Sequence, residues 1–116
     1  MASTPERKVK TQVAKVLKER GVYHFPPIMG GYGSSGVPDI VACVGGRFVA
    51  IECKAGPGRL TELQKKNLTD IKKGGGAAIV VNDGELIDSP VTLMHYNALA
   101  PFIDALINTP IENPDA

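Results

Sequence analysis

From Gly74 to its last residue the 116-residue chain contains no lysine and no arginine. All 13 basic residues lie in residues 1–73 beside six acidic ones, a net of +7, while residues 74–116 carry six acidic residues and a net of −6. The formal charge of +1 hides that asymmetry. A basic front and an acidic tail fit a polyanion engaged by the first two-thirds, and they fit simple solubility as well. Cysteine is scarce: Cys43 and Cys53 are too few for a disulfide scaffold or a structural zinc site. With His24 and His95 they form no zinc spacing. There is no apolar run of membrane-spanning length and no signal-peptide core near the N-terminus, so a cytoplasmic protein with no membrane partner is expected. The length suits one domain with one core, and no internal repeat is visible.

What is present centres on Gly36 to Lys54, which reads as two apolar strands joined at Gly45-Gly46. Asp39, Glu52 and Lys54 are set into them, and a charge inside an apolar strand is costly unless paired or bound to metal. If Gly45-Gly46 is a two-residue turn, Val44 pairs with Arg47 and paired positions sum to 91. Asp39 then lies opposite Glu52, on one face, and the pleat brings Lys54 to the same face. A slip of one residue would break that pairing. Cys43 and Cys53 fall on opposite faces in this register, which argues against a disulfide.

Around the hairpin, Thr4-Pro5 starts a helix carrying Val9, Val13, Val16 and Leu17 at helical spacing, closed by Gly21. Glu6 borders its apolar stripe, either as a first-turn acid favoured by the helix dipole or as a functional group. Residues 22–38 read as a loop. Gly31 to Gly36 matches G-x-G-x-x-G in form, but it precedes a strand and runs into Val37-Pro38, which excludes a dinucleotide site. Val37 also stands where a Walker loop needs lysine, so no nucleotide cofactor is expected. The loop serves either close approach of a phosphate backbone or plain connection. Thr61 to Lys73 reads as a second helix after a loop at 55–60, and Thr61 with Gln64 fits a capping box. Gln64 shares a face with Leu68 and Ile71, so it either caps or points at the sheet. Ala77 to Asn82 is a further strand, Asp83-Gly84 a turn, and Leu99, Phe102, Ile103 and Leu106 an amphipathic helix around Pro101. That helix packs on the core or makes a dimer contact, and residues 108–116 should trail off.

Two opposed carboxylates beside a lysine form either an ion cluster without function or a divalent metal site. Magnesium suits the second, because it binds one or two carboxylates and keeps waters and a phosphate oxygen. The metal would polarise the phosphoryl group, and Lys54 would orient a water or stabilise growing phosphate charge. Lys8, Lys10, Arg59, Lys65 and Lys66 are the candidates for nucleic-acid contact.

Pro38-Asp39, a spacer of 12 residues and Glu52-Cys53-Lys54 resemble the PD-(D/E)XK nuclease signature. With Gly36-Val-Pro-Asp, Phe48-Val-Ala-Ile-Glu-Cys-Lys and Leu60-Thr-Glu-Leu-Gln64 in order, residues 6 to 82 resemble the VRR-NUC family. The resemblance implies an α/β, restriction-endonuclease-like core: a central mixed sheet flanked by helices, with the site on a strand hairpin. It implies a single nuclease domain over 1–116, with residues 83–116 as an acidic extension, and hydrolysis of DNA phosphodiesters with Mg2+ or Mn2+. By position, Asp39 and Glu52 resemble the metal ligands, with the Cys53 carbonyl as a third oxygen. Lys54 resembles the catalytic lysine, Gln64 the glutamine that follows it, and Glu6 the acid supplied by the first helix. Stand-alone members of this size resemble phage-type homodimers that cut branched DNA such as four-way junctions, in the host cytoplasm. Flap cutting, general DNA cleavage and non-catalytic binding are the alternatives.

Overall fold

The computed structural model describes residues 4–28 and 36–112. Residues 29–35, which include most of the glycine-rich motif, lie outside the described residues, as do 1–3 and 113–116. The elements in chain order are α1 (Pro5–Glu19), β1 (Tyr23–Phe25), β2 (Ile40–Val44), β3 (Arg47–Cys53), α2 (Glu62–Lys73), β4 (Ala77–Asn82), β5 (Thr92–His95) and α3 (Leu99–Asn108), with a single 3-10 turn at Tyr96–Ala98 before α3. The strands form one mixed sheet in the order β1-β2-β3-β4-β5. β1–β2 and β2–β3 are antiparallel, whereas β3–β4 and β4–β5 are parallel. This is the expected α/β fold, a mixed sheet flanked by helices in the restriction-endonuclease-like manner.

The hairpin turns as its glycines require. Gly45 and Gly46 have φ of 58° and 81°, the pair of positive values that a two-residue type I′ turn demands. Val44 pairs with Arg47 and Ile40 with Ile51, so the register sums to 91 throughout. Alternation then sorts the sheet's two faces. Ile40, Ala42, Val44, Val49, Ile51, Cys53, Ile79 and Val81 join Val9, Val13 and Leu17 of α1 and Leu99 and Ile103 of α3 in one core. Ala78 and Val80, on the other face, pack with Leu60, Leu68 and Val91 beneath α2. Glu52 shares that second face, because it pairs with Val80 in the parallel ladder.

Two strands differ from the sequence reading, and the C-terminal helix takes the first of the two roles open to it, packing on the core. Residues 22–38 are not all loop, since Tyr23–Phe25 pairs with Val41–Cys43 as an edge strand. Three residues are too few to show a period-2 pattern, and pairing with β2 supplies what local propensity does not. β5 was likewise invisible, with only Thr92–His95 joining β4. The acidic C-terminal stretch therefore completes the sheet and core. Leu99 and Ile103 are fully buried, each worth about 1.5–3 kcal/mol of transfer free energy. Arg47 donates to the carbonyls of Leu106 (3.1 Å) and Thr109, placing a cation on the last turn of α3. Arg20 clamps the same helix through Asp104, with bonds of 2.7 and 3.2 Å. The apolar stripe of α3 is thus spent on its own core rather than left over for a dimer. Among the described residues no helix is long and apolar enough to cross a membrane.

Gly36 has a stricter role than connection. Its φ is 94°, and a Cβ there would meet backbone and Cβ atoms of Leu63 and Gln64 at 2.7–2.8 Å. The segment leading into Asp39 is pressed onto the start of α2. Gly36→Ala combines a backbone clash with left-handed strain, and is expected to cost about 2 kcal/mol or more. Urea unfolding checks this; a loss below about 0.5 kcal/mol would mean that the contact is not required.

Candidate active site

Thr4 caps α1, accepting the Arg7 amide at 3.1 Å, and Pro5 occupies the first turn. Burial of Val9, Val13 and Leu17 then fixes the rotation of α1, which carries Arg7 and Lys10 along a groove that leads to Asp39. Thr61 caps α2 by accepting the Gln64 amide at 3.1 Å, while Gln64 Oε1 accepts the Thr61 amide at 2.9 Å. The other end of the same amide group, Gln64 Nε2, donates to Glu52 Oε2 at 3.1 Å. Capping and pointing at the sheet were alternatives in the sequence; one side chain does both.

Glu52 is the centre of the cluster and is only 2% exposed. It neighbours the Asp39 carboxyl and accepts from Gln64, and Lys54 Nζ stands 4.0 Å from its Oε2. Asp39 Oδ2 accepts the Cys53 amide at 2.8 Å, and Asp39 Oδ1 lies 3.3 Å from Lys10 Nζ. Asp39, Glu52, Lys54 and Gln64 therefore come together at one end of the hairpin. Glu6 is half-buried and lines a shallow depression with Lys54, Ala55 and Gly58, one helical turn before Lys10. Among the described residues it does not join Asp39 and Glu52 in a three-acid metal-binding group. The Cys53 thiol faces the core, where burial and then the neighbouring acids push its ionisation upward.

The five basic residues expected to face nucleic acid divide. Lys8 is exposed on α1 and Arg59 is exposed before α2, and neither forms an ion pair among the described residues. Lys65 is engaged by Glu62 and Asp88 at 3.6 Å each, and Lys66 by Asp70 at 2.7 Å. Lys10 is turned to Asp39. Two further residues were missed. Arg7 and His24 line the groove of about 740 Å3 that Lys10, Thr11, Pro38, Asp39 and Gln64 also border. Arg7 could have been found from its place one turn before Lys10, whereas His24 depends on β1, which local patterning does not reveal.

The chemistry of the donor set suits a hard divalent cation. Two carboxylates meet, and magnesium needs no more from a protein when waters and a phosphate oxygen complete its shell. Without an ion the two acids oppose each other. Burial first, and then the charge of Asp39 and its hydrogen bond, lift the Glu52 carboxyl from 4.5 to about 8, with Lys54 pulling the other way. Burial also pulls on Lys10, but the charge and hydrogen bond of Asp39 outweigh it and leave that ammonium more basic than usual.

The sign of the pH dependence follows. Glu52 holds a proton in the folded state that the unfolded chain releases, so its contribution to stability is complete below about 4.5 and is lost as pH rises through about 8. Glu52→Gln keeps an acceptor for Gln64 and gains a donor for Asp39. In chelator, thermal unfolding should show this variant gaining on wild type steadily from about pH 5 to pH 8. A constant difference across that range would contradict the assignment.

Residues 4–80 match the family model described as archaeal Holliday junction resolvase (Hjc). No curated protein matches the chain. The matched stretch runs from the cap of α1 through the hairpin and α2 into β4, and so contains the whole cluster. Hjc is a PD-(D/E)XK-type family, which is the ground it shares with the VRR-NUC resemblance. With well over half of its length matched, the chain belongs to the Hjc family of Holliday junction resolvases, nucleases of the PD-(D/E)XK type.

Proposed function

We propose that the protein is a metal-dependent, structure-selective endonuclease that hydrolyses phosphodiester bonds in branched DNA, four-way junctions in particular. The observation that carries this is the buried Glu52, held against Asp39 and contacted by Gln64 with Lys54 alongside. A merely structural ion cluster gains nothing from opposing two acids inside a sheet. Asp39 and Glu52 would hold Mg2+ or Mn2+, with the Cys53 carbonyl as a third oxygen. A divalent ion in that position supplies positive charge to the phosphate and offsets the repulsion between the two acids.

The chain's own groups do the rest. Lys54 is only 12% exposed and can donate to a phosphate oxygen or hold the attacking water, where its charge counts for more than in bulk solvent. Gln64 fixes the rotamer of Glu52 from a rigid helix start, so the acid is aimed before substrate arrives. Glu6, which borders the same depression as Lys54, would be the acid that α1 supplies to the site, while Lys8 and Arg59 would contact DNA flanking the cut.

Homodimer formation belongs to the same reading, because paired cuts in a four-way junction need two sites at a fixed spacing. So does kinship with stand-alone VRR-NUC proteins of phage type. The exposed aromatic pair Tyr23 and Phe25 and the exposed Phe48 form an uncharged area on β1–β3 that agrees with contact to a second copy.

The test is cleavage of four-way, flap and linear DNA with Mg2+, Mn2+ or chelator. Metal-dependent cutting that prefers the four-way substrate is expected. Lys54→Ala and Asp39→Ala should each lower the single-turnover rate about 100-fold or more. Full activity in Lys54→Ala, or binding without hydrolysis under both metals, would sink the proposal.

A further inference from the structure

Among the described residues, Lys10 is the one basic residue outside the hairpin that forms an ion pair with the carboxylate cluster. Its Nζ lies 3.3 Å from Asp39 Oδ1, with 43% of the Lys10 side chain and 21% of the Asp39 side chain exposed. The other oxygen, Oδ2, is committed to the Cys53 amide. Oδ1 is the oxygen without a backbone partner, and so the more open of the two to a metal ion, and a lysine now stands against it. An ammonium and a divalent cation repel each other, so both cannot sit on Oδ1 at contact distance. The four-carbon stem of lysine gives the ammonium somewhere to go. Lys10 already borders the groove shared with Arg7, Thr11 and His24. His24 Nδ1 lies 2.8 Å from the Val22 carbonyl, making Nδ1 the donor and leaving Nε2 uncommitted. Arg7 and Lys10, three residues apart on one helix, make that groove wall cationic.

We infer that Lys10 is a counter-ion switch: its ammonium holds the place of the metal on Asp39, is displaced when a divalent cation binds there, and then takes a substrate phosphate in the groove beside Arg7. This rests on the proposed role of Asp39 as a metal ligand. The consequence is coupling. Metal must compete with Lys10, DNA gains a contact only once metal is bound, and by linkage DNA tightens metal by the factor through which metal tightens DNA. The competing destination for a displaced Lys10 is Glu6, one turn earlier on α1, which would leave DNA affinity untouched.

The experiment has two arms, both without an activity readout. Calorimetric titration with Mn2+ in the absence of DNA compares wild type, Lys10→Met and Lys10→Gln, with Lys8→Met as the control for loss of a nearby charge. Both Lys10 variants should bind Mn2+ about two- to ten-fold more tightly than wild type, as loss of a partly exposed competing pair predicts, and Lys8→Met should not change. Binding of four-way DNA is then measured over a salt series in Ca2+ and in chelator. Calcium should tighten binding less for Lys10→Met than for wild type, and the salt slope in calcium should fall by about one phosphate contact. Equal Mn2+ affinity in wild type and the Lys10 variants would overturn the switch while leaving the nuclease reading intact. Failure of every protein to bind Mn2+ would overturn that reading and the switch with it. Tighter Mn2+ binding with an unchanged calcium effect on DNA would overturn the phosphate contact and send Lys10 to Glu6.

Discussion

A buried carboxyl facing another carboxyl is the constraint on which this structure turns. Glu52 sits in β3 on the face beneath α2, where neighbouring positions along the sheet are alanine and valine. An acid there is unfavourable in isolation, and Asp39 opposite makes it worse rather than better. The fold answers with neutralisation and directed hydrogen bonds: a proton retained on Glu52 to about pH 8, an amide from Gln64, and the Cys53 amide and Lys10 for Asp39. Each comes from a different part of the chain. The unusual cost of the pair explains why α1, the hairpin and α2 all converge at one end of β3.

That convergence was legible where the information is local. Two glycines between Val44 and Arg47 admit one tight turn, and the turn decides every pairing from Val44–Arg47 to Ile40–Ile51, the register that brings Asp39, just before β2, to the Glu52 end of β3. The apolar stripe of α1 and the Thr61–Gln64 box gave both helices for the same reason. What stayed hidden is non-local. β1 has three residues and β5 four, and each is a strand only because a neighbouring strand is there to pair with. His24 follows β1 into obscurity. Lys10 differs, since it borders the stripe of Val9, Val13 and Leu17, and its proximity to Asp39 needs only the packing of α1 on the hairpin, which spacing does not supply.

The charge asymmetry between the two parts of the chain changes meaning once folded. Asp104 engages Arg20, Asp88 engages Lys65, and Asp83 accepts the Gly56 amide at 3.0 Å. Much of the acidic C-terminal stretch is thus a partner for the basic front rather than a separate tail. The +7 of residues 1–73 overstates the field available to a polyanion. Among the described residues Arg7, Lys8 and Arg59 form no ion pair, and Arg7 lines the groove beside Lys10, whose charge Asp39 answers.

Gln64 shows why the site and the fold are not separable parts of this molecule. An amide has one acceptor end and one donor end, and here the acceptor closes the capping box while the donor holds Glu52. Glutamate would serve the box equally well. It would also set a third acid against Glu52 and could not donate to it when ionised. Leucine would suit the apolar spacing with Leu68 but abandon both ends. Glutamine is the residue that satisfies helix start and carboxyl together, and Gly36 packs on the backbone of the same turn, at Leu63 and the Gln64 nitrogen. The loop that presents Asp39 and the helix that orients Glu52 are therefore held in register by direct backbone contact. A displacement of α2 would move both carboxyls' supports at once.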